Sequence, residues 1–577
     1  MLNRMVRFLL MAGILLGMFT AMPVQHAKAL GTDRYVSTTG SDSSDCSATP
    51  CRHISYAITQ SGAVTADQIH IAAGTYHENL TINKTVDLVG AGENLTFIDG
   101  SALGTVIGVS SVAVTTLSDL TVQHGNAASE GGGIFNTGNL TLLRVIVSTN
   151  TASSGGGGIY NYGDSAAIPP SPGILSLTDV YISGNTVTAG AGGGLFGYST
   201  SDIYLSRVTV SGNTASAYSG GIHNQGAGLY LTNVTISNNT AHLGGGMTVT
   251  ASSSATIVNS TIAYNHLDAG GSVGGIQNYA LIDIVNTIVY GNDGENCLPG
   301  ALTSSGYNID GDSTCLTPTI RQLSDMPGTN PLLGPLANNG GYVPTHALLA
   351  GSPAIDATIA PCPVIDAASW PRPQDGNGDT VAVCDIGAFE APASATYKSV
   401  SAYDGWVLES TATSSKGGTK SASGTTFYIG DNAAKKQYRA ILHFNTAGFP
   451  ATAIISKATL RMMRSAGGSG NTSTLGALLA DIKKPYFGTA ASLAITDFQA
   501  TASKTKIFNT FTRSGSWYSA TLKSTGFTYV NRTGTTQFRV YFTKGDDHDS
   551  VADYLKFYSG SASTANRPQL VIQYYVP

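Results

Sequence analysis

Charge is scarce in this chain. Asp, Glu, Lys and Arg together make up 11% of its 577 residues, under half of the usual quarter. That excludes a Lys/Glu-rich helical protein, a coiled coil and a highly charged disordered chain. Cysteine is limited to six residues, none in a CxxC arrangement and none spaced with histidine as in a zinc site, which excludes those metal and dithiol motifs. Past residue 29 there is no apolar run approaching the ~20 residues that a membrane-spanning helix needs. Basic clusters with groove-reading motifs are missing too, which excludes nucleic acid as a partner. What is abundant is glycine, 69 residues, within a composition that is 42% hydrophobic. With many Val, Ile, Ser and Thr, this points to an all-β extracellular protein.

Met1 to Ala29 reads as a secretory signal peptide, with Arg4 and Arg7 at the start, an apolar run from Phe8 to Phe19, and a small-x-small site at Ala27-Lys28-Ala29. The mature chain is expected to begin near Leu30, to be secreted or displayed at the cell surface, and to act as a monomer without a transmembrane segment. An even number of cysteines after an export signal favours disulfides. Six allow fifteen pairings; their sequence-adjacent grouping suggests Cys46–Cys51, Cys297–Cys315 and Cys362–Cys384.

Charge splits the chain. Residues 31–392 hold 26 acidic and 7 basic residues, and residues 393–577 hold 9 acidic and 20 basic. The stretch Ala391-Pro-Ala-Ser-Ala395 reads as a linker. The expected division is a signal peptide over 1–29, a first domain over 30–392 and a second over 393–577.

The first domain is repetitive, with a period of about 26 residues. Glycines followed by an apolar residue recur at Gly131–Ile134, Gly155–Ile159, Gly192–Leu195, Gly220–Ile222, Gly244–Met247 and Gly274–Ile276. Between them lie paired strand-like segments such as Leu175-x-Leu177 and Val180-x-Ile182, whose alternation breaks at a corner. The corner residues form a column: Asp119, Arg144, Asp179, Arg207, Asn233, Asn259, Asn286. A second column closes the next segment: Asn126, Asn150, Asn185, Asn213, Asn239, Asn265, Asn292. Asn tolerates left-handed backbone angles, and stacked coils would set successive amides ~4.8 Å apart. The reading is a single-stranded parallel β-helix of about ten coils, roughly 50 Å long, with residues 53–60 as a capping helix and the stretch around 163–173 as an excursion loop. An α-solenoid is the alternative, and it lacks any helical period.

These repeats resemble bacterial surface β-helix proteins, including the polymorphic outer-membrane adhesin type. The segment from Asn330 through Ala350-Gly-Ser-Pro-Ala-Ile-Asp356 to Cys384-Asp-Ile-Gly-Ala-Phe-Glu390 is similar to a choice-of-anchor Q ending. The resemblance implies a right-handed, pectin-lyase-like β-helix and surface display. In the second domain, Ala440–Phe444, Ala458–Met462, Phe538–Phe542 and Gln569–Tyr574 read as strands of a sandwich. Tyr403–Ser410, Gln437–Phe444 and Ala565–Ile572 resemble the DNRLRE-type domain, grouped with carbohydrate-binding modules (family 96-like). The resemblance implies a jelly-roll-like sandwich that binds a glycan.

Four sets of residues could carry chemistry. Asp119, Arg144, Asp179 and Arg207 alternate in sign along one column; a lyase uses carboxylates for calcium and a basic residue for proton abstraction, whereas an ion-pair ladder needs only opposite charges on adjacent coils. His223 and His242 read as surface turn residues. Asp375, Asn377 and Asp379 alternate as in a calcium-wrapping loop, without the Gly and Glu of an EF-hand; Asp546, Asp547, Asp549 and Asp553 form a second acidic group. Trp517, Tyr518, Tyr554 and Tyr558 are candidate sugar-stacking rings, with Trp406 read as core. The combined expectation is a non-enzymatic surface or secreted adhesion protein that engages polysaccharide or cell-surface glycan, with no catalytic residue assigned and calcium as the candidate cofactor. The alternative is a polysaccharide lyase or glycoside hydrolase with an appended binding module.

Overall fold

The computed structural model describes residues 30–577 apart from 63–65, 165–172, 227, 299 and 301. The signal peptide and most of the expected excursion loop lie outside the described residues. The chain divides into two compact units, one of residues up to 373 with 381–391, the other of 374–380 with 392–577. Among the described residues no helix is long and apolar enough to cross a membrane.

The first unit is a parallel β-helix. One of its sheets has nine strands, stacked in chain order from Leu80–Ile82 to Glu295–Cys297. Every pairing between successive coils in this sheet is parallel, as in Ile134↔Ile159↔Leu195↔Ile222↔Met247↔Ile276. Those aligned residues are wholly buried and form a line of aliphatic side chains along the interior. Strands Val114–Gln123, Asn139–Ser148, Leu175–Ser183 and Ile203–Ser211 run through a corner at which Asp119, Arg144, Asp179 and Arg207 take φ of 53–57°. Asn233, Asn259 and Asn286 hold the same corner on later coils at φ 45–56°. The expected helix caps the first coils as Ile54–Gln60, with Glu78 accepting from the backbone N–H groups of Ile54 and Ser55.

The buried amide ladder runs through Asn150, Asn185, Asn213, Asn239, Asn265 and Asn292. Each Nδ2 donates to the Oδ1 of the next residue at 2.8–3.0 Å. Asn126 does not belong to it. Asn126 aligns with Thr151, one residue out of phase, and is exposed; Gly125 occupies the ladder position and donates its N–H to Asn150.

Residues 342–373 and 381–391 fold back along the arm of the coils that follows the first corner. Thr209 Oγ1 donates to the Pro344 carbonyl (2.6 Å), Asn233 Nδ2 to the Ile365 carbonyl (2.8 Å), and the Ala388 N–H to Thr261 Oγ1 (3.1 Å). His346 meets Ser237 Oγ at 2.9 Å. This segment covers its own small core of Leu348, Ala354, Ile386 and Phe389 over Ile288 and Ile309. Disulfides join Cys46–Cys51, Cys297–Cys315 and Cys362–Cys384.

The second unit is antiparallel and two-layered. One sheet orders Ala393–Lys398, Gln569–Tyr575, Ile454–Met463, Trp517–Thr521 and Thr512–Ser514. Ala393 to Ala395, read as linker, thus begin an edge strand paired to the last strand. The other sheet contains Gly405–Glu409, Gln437–Asn445, Thr426–Asp431 and Tyr554–Tyr558, extended by Thr535–Phe542 and Leu478–Lys483. Phe427, Phe444, Phe538, Phe557, Leu460 and Ile572 fill one shared core. This is a β-sandwich.

Candidate saccharide-binding site

In the first unit the alternating charges pair across adjacent coils. Arg144 grips Asp119 with Nε–Oδ1 2.5 Å and Nη2–Oδ2 2.6 Å, and Arg207 grips Asp179 at 2.7 and 2.8 Å. Each guanidinium is spent on a forked bond to its neighbour, and the Arg144 guanidinium is held further above its usual range chiefly by the bond to Asp119. An arginine held this way is no base. His223 departs from expectation: it is 5% exposed, stacks on Phe196 at 4.7 Å, and burial pushes its imidazole down to about 4. It ends a stacked outward column of Phe135, Tyr160 and Phe196. His242 is a surface residue, and its Nδ1 lies 2.7 Å from Asp268. That acid, 26 residues on, is invisible in local sequence because one coil separates the two.

The second unit gathers four aromatic rings. Trp406, Tyr428, Tyr438 and Tyr554 come from four different strands, Gly405–Glu409, Thr426–Asp431, Gln437–Asn445 and Tyr554–Tyr558. Ring centroids are 5.1 Å apart for Trp406–Tyr438, 5.5 Å for Tyr428–Tyr438 and 5.1 Å for Tyr428–Tyr554. All four are half-buried. Burial, then the neighbouring phenols of Tyr428 and Tyr554, raise the Tyr438 hydroxyl above its ordinary value, so it remains a neutral donor. Gly430 allows this convergence: at φ 137° it carries no Cβ, and one placed there would lie 2.0 Å from the Asp553 carbonyl.

Beside the rings, Asp547, Asp549 and Asp553 each bring an oxygen within 4.8 Å of the others. Asp431 backs this group, 1% exposed, with Oδ1 accepting the Asp553 N–H at 2.9 Å. Burial, with the charges of Asp547 and Asp553, pushes the Asp431 carboxyl up to about 6. Converging carboxylates of this kind suit a hard cation such as calcium. In the loop of Asp375, Asn377 and Asp379, Asp375 instead accepts the N–H groups of Gly378, Asp379 and Thr380 at 2.7–3.1 Å, and Asn377 accepts that of Asp379 at 2.8 Å. Those oxygens close a turn.

The expected aromatic residues are not one surface. Tyr554 joins the four-ring cluster, and Tyr558, opposite Thr426, sits four residues along the same strand. Trp517 and Tyr518 belong to the other sheet, where the Arg461 guanidinium covers the Trp517 ring at 4.6 Å and Tyr518 packs edge-on against Phe557 at 5.3 Å. Trp406, read as core, is half-buried and packs on both the core and Tyr438. Tyr428 and Tyr438 were not singled out; the signal available was their alternation with the buried residues Phe427 and Ile429, and Gln437.

No protein-family model matches the chain, and no curated protein does. Nine chains of solved structures match. One is a pectin methylesterase from carrot, 12% identical, with a TM-score of 0.28 over 48% of this chain and 90% of that one. The parallel β-helix is defined by the strand order and register of the chain itself.

Proposed function

We propose that this chain is a binding protein of the cell exterior that engages polysaccharide through its second unit, with the β-helix as a rigid stalk. The observation that supports this reading is the cluster of Trp406, Tyr428, Tyr438 and Tyr554, four half-buried rings from adjacent strands. Pyranose rings present flat apolar faces, and rigid aromatic side chains meet them at small entropic cost. Resemblance of the second domain to carbohydrate-binding modules points the same way, and that of the first to surface-displayed β-helix proteins supplies the setting. Calcium belongs to this proposal as a stabiliser of the Asp547, Asp549 and Asp553 loop, which borders the rings.

The test is retention of the full mature chain on a panel of insoluble and immobilised polysaccharides. Binding to at least one polymer is expected, and the double variant Tyr428→Ala with Tyr554→Ala should weaken it by about tenfold or more, a loss of at least roughly 1.4 kcal/mol. Undiminished retention of that variant, with its fold intact by circular dichroism, would remove the aromatic cluster from the account.

A further inference from the structure

The first coils carry a histidine–carboxylate cluster. His77, Asp99 and Gln123 occupy one register position on successive coils. Asp99 is 7% exposed. Its Oδ2 accepts from His124 Nδ1 at 2.7 Å and Gln123 Nε2 at 2.9 Å, and its Oδ1 accepts the Ser101 N–H at 2.8 Å. Burial alone would raise this carboxyl, but those three bonds outweigh it and hold the group below the usual carboxylate value. Asp99 is therefore an anchored anion with an imidazole fixed to it.

That imidazole is open to solvent. The His124 side chain is 53% exposed and with Asp99 lines a cleft of about 460 Å³. Ser101, Asn126, Thr149 and Thr151 complete its polar lining. With Nδ1 committed to Asp99, Nε2 is the nitrogen left to take a proton. An imidazole whose tautomer is set by a buried carboxylate is the arrangement of a general base.

The lining narrows the chemistry. It holds no Lys or Arg, which a uronate carboxylate would need beside it during proton abstraction. Asp99 is its one carboxylate, whereas glycosidic cleavage uses two. A serine nucleophile is not assembled either: Ser101 Oγ lies 3.1 Å and Asp99 Oδ1 3.8 Å from the same nitrogen of His77, Nδ1. Attack by water on a carboxylic ester needs one base and a donor for the oxyanion; the lining includes the Ser101 hydroxyl, which also meets His77 Nδ1, and the Asn126 side-chain amide, the Asn126 backbone N–H being given to the Gly104 carbonyl. The excess of 26 acidic over 7 basic residues across 31–392 repels polyanions.

We propose that His124, positioned by Asp99, is the general base of a hydrolytic site for acyl esters of neutral saccharides. His124 Nε2 takes a proton from water as the water oxygen bonds to the ester carbonyl carbon. The tetrahedral intermediate then breaks its bond to the sugar oxygen, which recovers the proton from the imidazolium. A carboxylic acid and a sugar hydroxyl leave, with no change of oxidation state. This site is independent of the rings in the second unit.

The experiment uses the full mature chain with p-nitrophenyl acetate and with acetylated glucomannan, measuring acetate release. Turnover above buffer is expected on both. His124→Asn is the variant of choice, because the same corner on a later coil is held by Asn238 at φ 56°; it should keep the melting temperature and lower kcat about a hundredfold or more. Asp99→Asn should lower kcat while leaving KM unchanged, the mark of a positioning residue rather than of a lost fold. Absence of acetate release from the native chain, or a His124→Asn variant as active as native, overturns the proposal, and retention on polysaccharide is a separate readout that neither variant should alter.

Discussion

Each coil turns at residues held in the left-handed backbone region, and the side chain placed there, or next to it, decides what the turn bonds. Asn213 is the clearest case. Its Nδ2 donates to the Ile182 carbonyl and to Asn239, and its Oδ1 accepts the backbone and side-chain N–H groups of Asn185, all at 2.9–3.0 Å. Replacing Asn213 by Ala strands several fully buried polar groups, each worth about 1–3 kcal/mol. A loss of about 3–5 kcal/mol in urea unfolding is expected. Asn126→Ala, at the exposed position one residue out of phase, should change stability by less than about 0.5 kcal/mol. Equal effects of the two changes would show that the ladder does not carry the stack.

At the scale of elements, the segment that folds back over the coils is held by bonds contributed from separate coils. His346 is its firmest point: it is 3% exposed, with Nδ1 2.8 Å from the Gly334 carbonyl and Nε2 2.9 Å from Ser237 Oγ. Burial depresses its imidazole below the usual value, so the ring is neutral at pH 7. His346→Ala should leave a void and two unpaired groups, costing about 2–4 kcal/mol. Limited proteolysis of the folded variant should then cut within residues 333–391 faster than in the native chain; unchanged cleavage would mean that the apolar contacts of Leu348, Ile386 and Phe389 suffice. In the second unit, strand alternation does the comparable work by setting Phe427 and Ile429 inward and leaving Tyr428 at the ring cluster.

Across the whole molecule, buried carboxyls and buried histidines pull the response to pH in opposite directions. Burial pushes Asp366, Asp404 and Asp497 up to about 6. Asp431 reaches the same value through burial and its acidic neighbours. Such groups bind protons more tightly folded than unfolded, so between about 4 and 6 the native state takes up the excess and stability falls as pH rises. Above about 6 this contribution is flat. Asp42, Asp99, Asp312 and Asp547 are lowered and oppose this at more acid pH, and the buried His223, His346 and His443, all depressed by burial, oppose it between about 4 and 6.5, because the unfolded chain binds their protons more tightly. Calorimetry of variants at pH 5 and pH 7 separates the two sets. Asp404→Asn, which takes up no proton, should lower the melting temperature at pH 5 relative to that at pH 7 when compared with the native chain; the bond that Asp404 Oδ2 accepts from the Gly560 N–H at 2.7 Å can be kept by an amide oxygen. A difference between pH 5 and pH 7 that is the same in Asp404→Asn as in the native chain would contradict the Asp404 assignment.

The β-helix was legible in the sequence because its repeat is physical: a coil must return its apolar residues to the same interior line, so the glycines, the corner residues and most of the asparagine ladder recur at one spacing. The ion pairs of Arg144 and Arg207 followed from the same register. The strands and inward faces of the sandwich were readable from alternation, and so were the cysteine pairs from their proximity. Contacts that span coils or sheets were not. His242 finds Asp268, and His77, Asp99 and His124 converge, only once 22 to 26 residues of chain close a turn. The four rings of the second unit meet because antiparallel pairing brings Trp406, Tyr428, Tyr438 and Tyr554 together from distant strands, while Arg461 covers Trp517. Local periodicity decides which residues face inward; which of the outward ones become neighbours is decided by strand order and register, and these belong to the tertiary structure.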